Sequence, residues 1–236
     1  MTKGLIFPYY GRMNELSKDG SRHVTDEIIN TITHTAGAIF SLLGMVFLVV
    51  QAALNGTVWH IVAFSIYGMS LFMLFLASAF HHGIDGSDRL NAFFRLFDYL
   101  SIFVLIAGTY TPLCLILSRD SWGWSTFGVV WLLAAAGVSI KSVFPSIPKW
   151  FTNTLYICMG WAGVVLIYHV LPLVGPLGIF LLLAGGIMYS AGAVIFYIEK
   201  PNPLPGKFGF HEIWHLFVLT GAVLHYLFMF FIALPY

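Results

Sequence analysis

Residues 210–233 read Phe210-His211-Glu212-Ile213-Trp214-His215-Leu216-Phe217-Val218-Leu219-Thr220-Gly221-Ala222-Val223-Leu224-His225-Tyr226-Leu227-Phe228-Met229-Phe230-Phe231-Ile232-Ala233. After Glu212 this run holds no Asp, Glu, Lys or Arg. A helix needs about 20 such residues to cross a hydrocarbon core of about 30 Å, so the stretch reads as a membrane helix. His211 and His215 stand at its entrance, four positions apart. On a helix that spacing puts both imidazoles on one face, where they reach a single point. Backbone and hydroxyl groups satisfy such a pair at least as often as a metal does. The reading therefore turns on what else reaches the same depth.

Working outward, similar runs recur at about 28–54, 58–82, from Asp98 past Pro112, 125–143, 152–170 and 177–198. The chain has 236 residues, 59% hydrophobic and 9% charged, against about 25% charged in soluble domains. These runs imply an all-α fold class: a polytopic membrane protein with seven transmembrane helices. Residues 1–27 are a charged lead-in and 28–236 the transmembrane domain. The lead-in shows no short apolar core with a small-residue cleavage site. A proline kink is expected at Gly108-Thr109-Tyr110-Thr111-Pro112, and a short amphipathic piece over 90–96 is expected to lie at the interface. Gly185, Gly186 and Gly192 suit close helix packing.

Lys and Arg number 11. Lys3, Arg12, Lys18 and Arg22 lie in the lead-in; Arg89, Arg95, Lys141, Lys149, Lys200 and Lys207 lie in the second, fourth and sixth connections. Only Arg119 falls on the other side. The positive-inside rule then places the N-terminus in the cytoplasm and the C-terminus outside, in a cell (inner) membrane. A G-protein-coupled receptor has the opposite orientation, and a retinal protein needs a lysine in the last helix, where residues 208–236 have none. A net charge of +1 without a basic run excludes nucleic acid as a partner. Cys114 and Cys158 fall inside apolar runs and imply no disulfide framework.

With this topology His82, at the end of the second span, lies level with Asp98 at the start of the third. His211 and His215, at the start of the seventh, share that level, near the cytoplasmic face. Ionisable groups near hydrocarbon depth carry a functional expectation. The expected partner is Zn2+, held by His82, His211 and His215. Three imidazoles leave a fourth position open, as in catalytic zinc sites. Asp98 is expected to act on the group in that position or to ligate the metal, and Ser78, one turn before His82, to orient it. His34 either faces the site or bonds a backbone carbonyl, with Glu27 and Asn30 beside it. His225 is expected to pack or hydrogen-bond, and His60 and His169 to lie toward the outer face.

These residues carry a resemblance. Glu27-x-x-Asn30-x-x-Thr33-His34, Phe75-Leu76-Ala77-Ser78-x-x-x-His82, Phe97-Asp98, residues 105–112, Met159-Gly160-Trp161 and His211-x-x-Ile213-Trp214-His215 together resemble the hemolysin III family. That family is the bacterial branch of the progestin and adipoQ receptor group and is related to alkaline ceramidases. The resemblance implies seven helices and a zinc site near the cytoplasmic face, with ligands at His82, His211 and His215. It puts Asp98 and Ser78 at the family's acidic and serine positions. The position before the first ligand is usually tyrosine; here it is His81, a rival ligand.

Two functions stand as expectations. In one, the protein is a zinc-dependent hydrolase of a lipid amide or ester, with membrane lipids as substrate. In the other, it is a non-enzymatic sensor, a membrane-homeostasis protein or a cytolytic protein with structural zinc. Haem between histidines of different helices is a third arrangement, and it leaves Asp98 and Ser78 without a role.

Overall fold

The computed structural model describes residues 27–205 and 207–236, except for the side chains of Val165 and Ile167. The lead-in up to Asp26, with its four cations and His23, lies outside the described residues. The described chain forms seven helices: α1 (Glu27–Asn55), α2 (Val58–Gly83), α3 (Asp88–Pro112), α4 (Ser121–Val143), α5 (Lys149–Trp161), α6 (Val164–Ile198) and α7 (Phe210–Phe228). α3 and α7 run on into π-helical turns, Leu113–Leu117 and Met229–Ala233. An isolated β bridge joins Leu204 and Phe208.

Six helical stretches are long and apolar enough to cross a membrane: Glu27–Asn55, Val58–Gly83, Asp88–Leu117, Ser121–Val143, Tyr168–Ile198 and Phe210–Ala233. The exposure pattern agrees with lipid as the solvent. Phe40 and Leu132 are 71% and 70% exposed, while Asn30, Ser78, Asp98 and Glu212 are buried. Water would penalise both halves of that arrangement; a bilayer penalises neither, provided the polar groups find partners inside the bundle. The chain is a multi-pass membrane protein. α1 packs along α2, α2 on α3 and α6 on α7, and α7 returns to α1.

Two boundaries differ from the sequence reading. Residues 90–96 form no separate interfacial piece. Ser87 Oγ accepts the Leu90 N–H as an N-cap, Asp88 supplies a favourable charge in the first turn, and neither Gly nor Pro interrupts residues 89–107. Asp98 therefore sits nearly three turns inside α3, where it is buried. The expected span over 152–170 contains a helix end, because α5 stops at Trp161 and α6 starts at Val164. α5 has 13 residues, or about 20 Å of helix, too short to cross alone.

A break at this depth needs its backbone groups satisfied. Tyr110 does so: its hydroxyl donates to the carbonyls of Met159 and Gly160 and accepts the Gly163 N–H at 2.8 Å. Further along α6, Gly175 has φ 61° and ψ −178°. That left-handed φ favours glycine, and Pro176 after it pushes the preceding residue out of the α region. The helix direction breaks there.

Candidate metal centre

Four helices build the centre. α1 supplies Glu27, Asn30 and His34, which share a face at i, i+3 and i+7. α2 brings Ser78, His81 and His82 from its last turns, and α3 brings Asp98. The first turns of α7 bring His211, Glu212 and His215. All of these except Glu27 are buried, and the three expected ligands are no more than 2% exposed.

The start of α7 is held firmly. Glu212 Oε2 accepts the Gly209 N–H at 2.7 Å and its Oε1 accepts Asn30 Nδ2 at 3.1 Å. Asn202 Oδ1 accepts the Phe210 N–H at 3.1 Å. One carboxylate thus caps the last helix and ties it to the first. His211 and His215 inherit that fixed position.

One nitrogen from each of His82, His211 and His215 lies within 4.8 Å of the other two. Within this set, His82 Nε2 and His211 Nε2 are 3.3 Å apart. Ligands about 2.0–2.1 Å from a tetrahedral zinc sit roughly 3.3–3.4 Å apart, so this pair has the spacing of two corners of such a site. The tautomer fits as well. His82 Nδ1 meets Glu27 Oε2 at 2.5 Å, and a carboxylate accepts, so Nδ1 carries the proton and Nε2 keeps its lone pair for a metal. Carboxylate behind imidazole is the arrangement that orients metal-bound histidines in general.

His215 completes the set. Both of its ring nitrogens are buried and have no hydrogen-bond partner among the described residues. Such a state is costly unless an ion takes one of them. The donor set fits a divalent metal of zinc type. Asp98 lies beside it: His81, His82 and Asp98 form a second buried group with metal-ligand spacing. Ser78 Oγ faces the Asp98 carboxyl but closes no hydrogen bond of good geometry among the described residues.

Glu27 reaches His82, where the sequence placed it beside His34. The reason is that the end of α2 comes back level with the start of α1. His34 faces the cluster and bonds no carbonyl among the described residues; its ring stacks on His215 at 3.6 Å between centroids and 16° between planes. Glu212 was missed altogether. Its position third in a helix is a capping signal, but its tie to Asn30 exists only once α1 and α7 meet. His60 and His169 line a separate cavity with Arg119 and Asp120.

Beside the centre opens a cavity of about 190 Å³, lined at one end by His34, Asp98 and Tyr99 and further in by Leu105, Ile106, Leu182 and Val218. Its walls are mainly apolar, and His225 lines it too. Together, the bundle and this centre define a class: an all-helical, multi-pass membrane protein with a buried cluster of histidines and an aspartate beside an apolar cavity.

Comparison with known proteins gives the family. Residues 22–226 match the family described as Haemolysin-III related. Hemolysin-3 of Bacillus cereus is 39% identical over 223 residues, covering 94% of this chain and 99% of that protein. The Hemolysin-3 homolog of Bacillus subtilis is 37% identical over 213 residues, covering 90% and 95%. Heptahelical transmembrane protein 5 of Arabidopsis thaliana is 29% identical over 185 residues, covering 72% of this chain and 49% of that protein. The chain belongs to the haemolysin III family.

Proposed function

We propose that the protein is a zinc-dependent hydrolase of a membrane-lipid amide or ester, working from a site near the cytoplasmic face of the cell (inner) membrane. The observation that carries this reading is the juxtaposition of a three-histidine cluster, braced by Glu27, with Asp98 and an apolar cavity. His82, His211 and His215 would hold the ion, which when bound polarises a carbonyl and lowers the pKa of water. Asp98 takes the proton of the attacking water and returns it to the leaving group. Ser78 Oγ faces the Asp98 carboxyl from one turn before His82. The cavity accepts the acyl chain and keeps bulk water from the carbonyl.

Seven crossings with a cytoplasmic N-terminus complete the proposal. Lys149 Nζ, at the start of α5, meets Glu199 Oε1, just past α6, at 3.1 Å. Two points in contact lie at one membrane level, so the chain between them crosses an even number of times. Residues 176–198 cross once; α5 and the part of α6 before Gly175 are then the return. The name of the Arabidopsis relative, heptahelical, agrees with that count, and the charge asymmetry sets the direction.

The near-complete burial of the three histidines favours a second reading, in which the metal is structural and the protein senses or maintains the membrane without catalysis. Purified protein with its metal content measured, incubated with a ceramide and a phospholipid, separates the two. Zinc near one per chain together with release of fatty acid supports the hydrolase. Zinc without release supports the structural reading.

A further inference from the structure

The residue before the first of the three histidines is turned inward as well. His81, in the last turn of α2, is 4% exposed. Adjacent helix positions project about 100° apart, so His81 and His82 reach the centre from different sides; their ring centroids are 4.7 Å apart and their planes 47°. His82 turns to α1 and α7, where it meets Glu27 and His211. With His81 and with Asp98 of α3 it completes a different set: one donor atom from each of these three residues lies within 4.8 Å of the other two, and all three residues are buried.

The donors of the two sets differ in kind. Three imidazoles suit zinc, whereas two imidazoles and a carboxylate suit ions that take oxygen ligands more readily, such as Mn2+ and Fe2+. Burial adds to the case, because a carboxylate held away from water is costly unless a cation or hydrogen-bond donors answer its charge. His82 belongs to both sets, and a neutral imidazole has one lone pair to give. The two positions cannot both be filled through it at once.

We infer that His81, His82 and Asp98 form a second metal position, for a divalent ion of the Mn2+ or Fe2+ type, which shares His82 with the three-histidine position and is filled in its place. Asp98 then serves as a ligand and is withdrawn from proton transfer, so the two positions are alternative states of one centre. The inference rests on the proposed zinc centre for the first position alone, and not on hydrolysis.

The test is metal binding without turnover. Purified protein stripped of metal is titrated with Mn2+ alone, and loss of the free ion's paramagnetic resonance signal counts what is bound. The wild type is expected to take up one Mn2+ per chain and to release it when one equivalent of Zn2+ is added. His81→Phe, which keeps a ring but no donor, should lose the Mn2+ and keep the zinc with which it is purified; His211→Ala should do the reverse. Unchanged circular dichroism together with retained zinc shows that His81→Phe is folded, and that variant decides alone if His211→Ala does not fold. No uptake of Mn2+ by the wild type, or uptake that survives His81→Phe, overturns the inference and leaves His81 a polar neighbour of Asp98 only. Mn2+ and Zn2+ bound together overturn the sharing of His82. Uptake of Mn2+ through His81 by a wild type that never holds zinc strikes the zinc reading above and leaves the second position standing.

Discussion

At the scale of single residues, the centre makes separable demands on its parts. Removing a ligand should remove the metal: His211→Ala and His215→Ala are expected to lose most zinc, read by elemental analysis of the purified protein. His82→Ala is expected to lose less, because His81 stands next to it and is buried in the same cluster. Retention of full zinc by the His211→Ala/His215→Ala double variant would dismiss the ligand set. Glu27→Gln keeps the shape but weakens the brace on His82, and metal affinity should fall by about 10- to 100-fold. Asp98→Asn should keep its zinc and lose about 10²- to 10⁴-fold in turnover, the usual loss when a general base is removed. The histidine pair was legible because helix periodicity fixes i and i+4 on one face whatever surrounds them. The brace was not, since Glu27 and His82 stand 55 residues apart, and which side chains meet across two helices depends on rotation about their axes. No local pattern encodes that rotation.

Among the elements, the join between α5 and α6 is the most exposed to mutation. Tyr110→Phe leaves the packing nearly intact but takes the phenol from the Gly160 carbonyl and the Gly163 N–H, while the Met159 carbonyl keeps the Ala162 N–H. A loss of roughly 1–3 kcal/mol is expected, visible as a lower unfolding temperature in detergent with zinc content unchanged at low temperature. An unfolding temperature equal to that of the wild type would mean that water or lipid replaces the phenol. Sequence patterning found the apolar runs because the hydrophobic signal is summed over many residues. It misplaced the start of α3 because a charged, amphipathic first segment looks the same whether it lies on the membrane or continues the helix above it. It missed the end of α5 because Trp161-Ala162-Gly163 contains no proline, and the partner that makes the break tolerable lies on α3.

For the whole molecule, orientation is checked by cysteines placed in the connections between α2 and α3, α4 and α5, and α6 and α7. They should be shielded from an impermeant thiol reagent in intact cells, while a cysteine added after Tyr236 should react; the reverse pattern would put the centre on the outer face. Chelation is the second check at this scale. The centre joins α1, α2 and α7, so stripping its metal should lower the unfolding temperature of the entire bundle. The lipid-facing surface and the polar interior were legible from composition alone, because a membrane admits few alternatives to a helical bundle.

The bond from Asn30 to Glu212 spans 182 positions of a 236-residue chain. Its consequence lies in time. During synthesis Glu27 and His82 leave the ribosome early, and for most of translation they wait in the membrane beside a gap. His211 and His215 arrive last, and with them the carboxylate that clasps the first helix. On the proposed zinc reading, metal uptake is a terminal event of biogenesis, and a nascent chain stalled before residue 210 would be inserted without its complete ligand set.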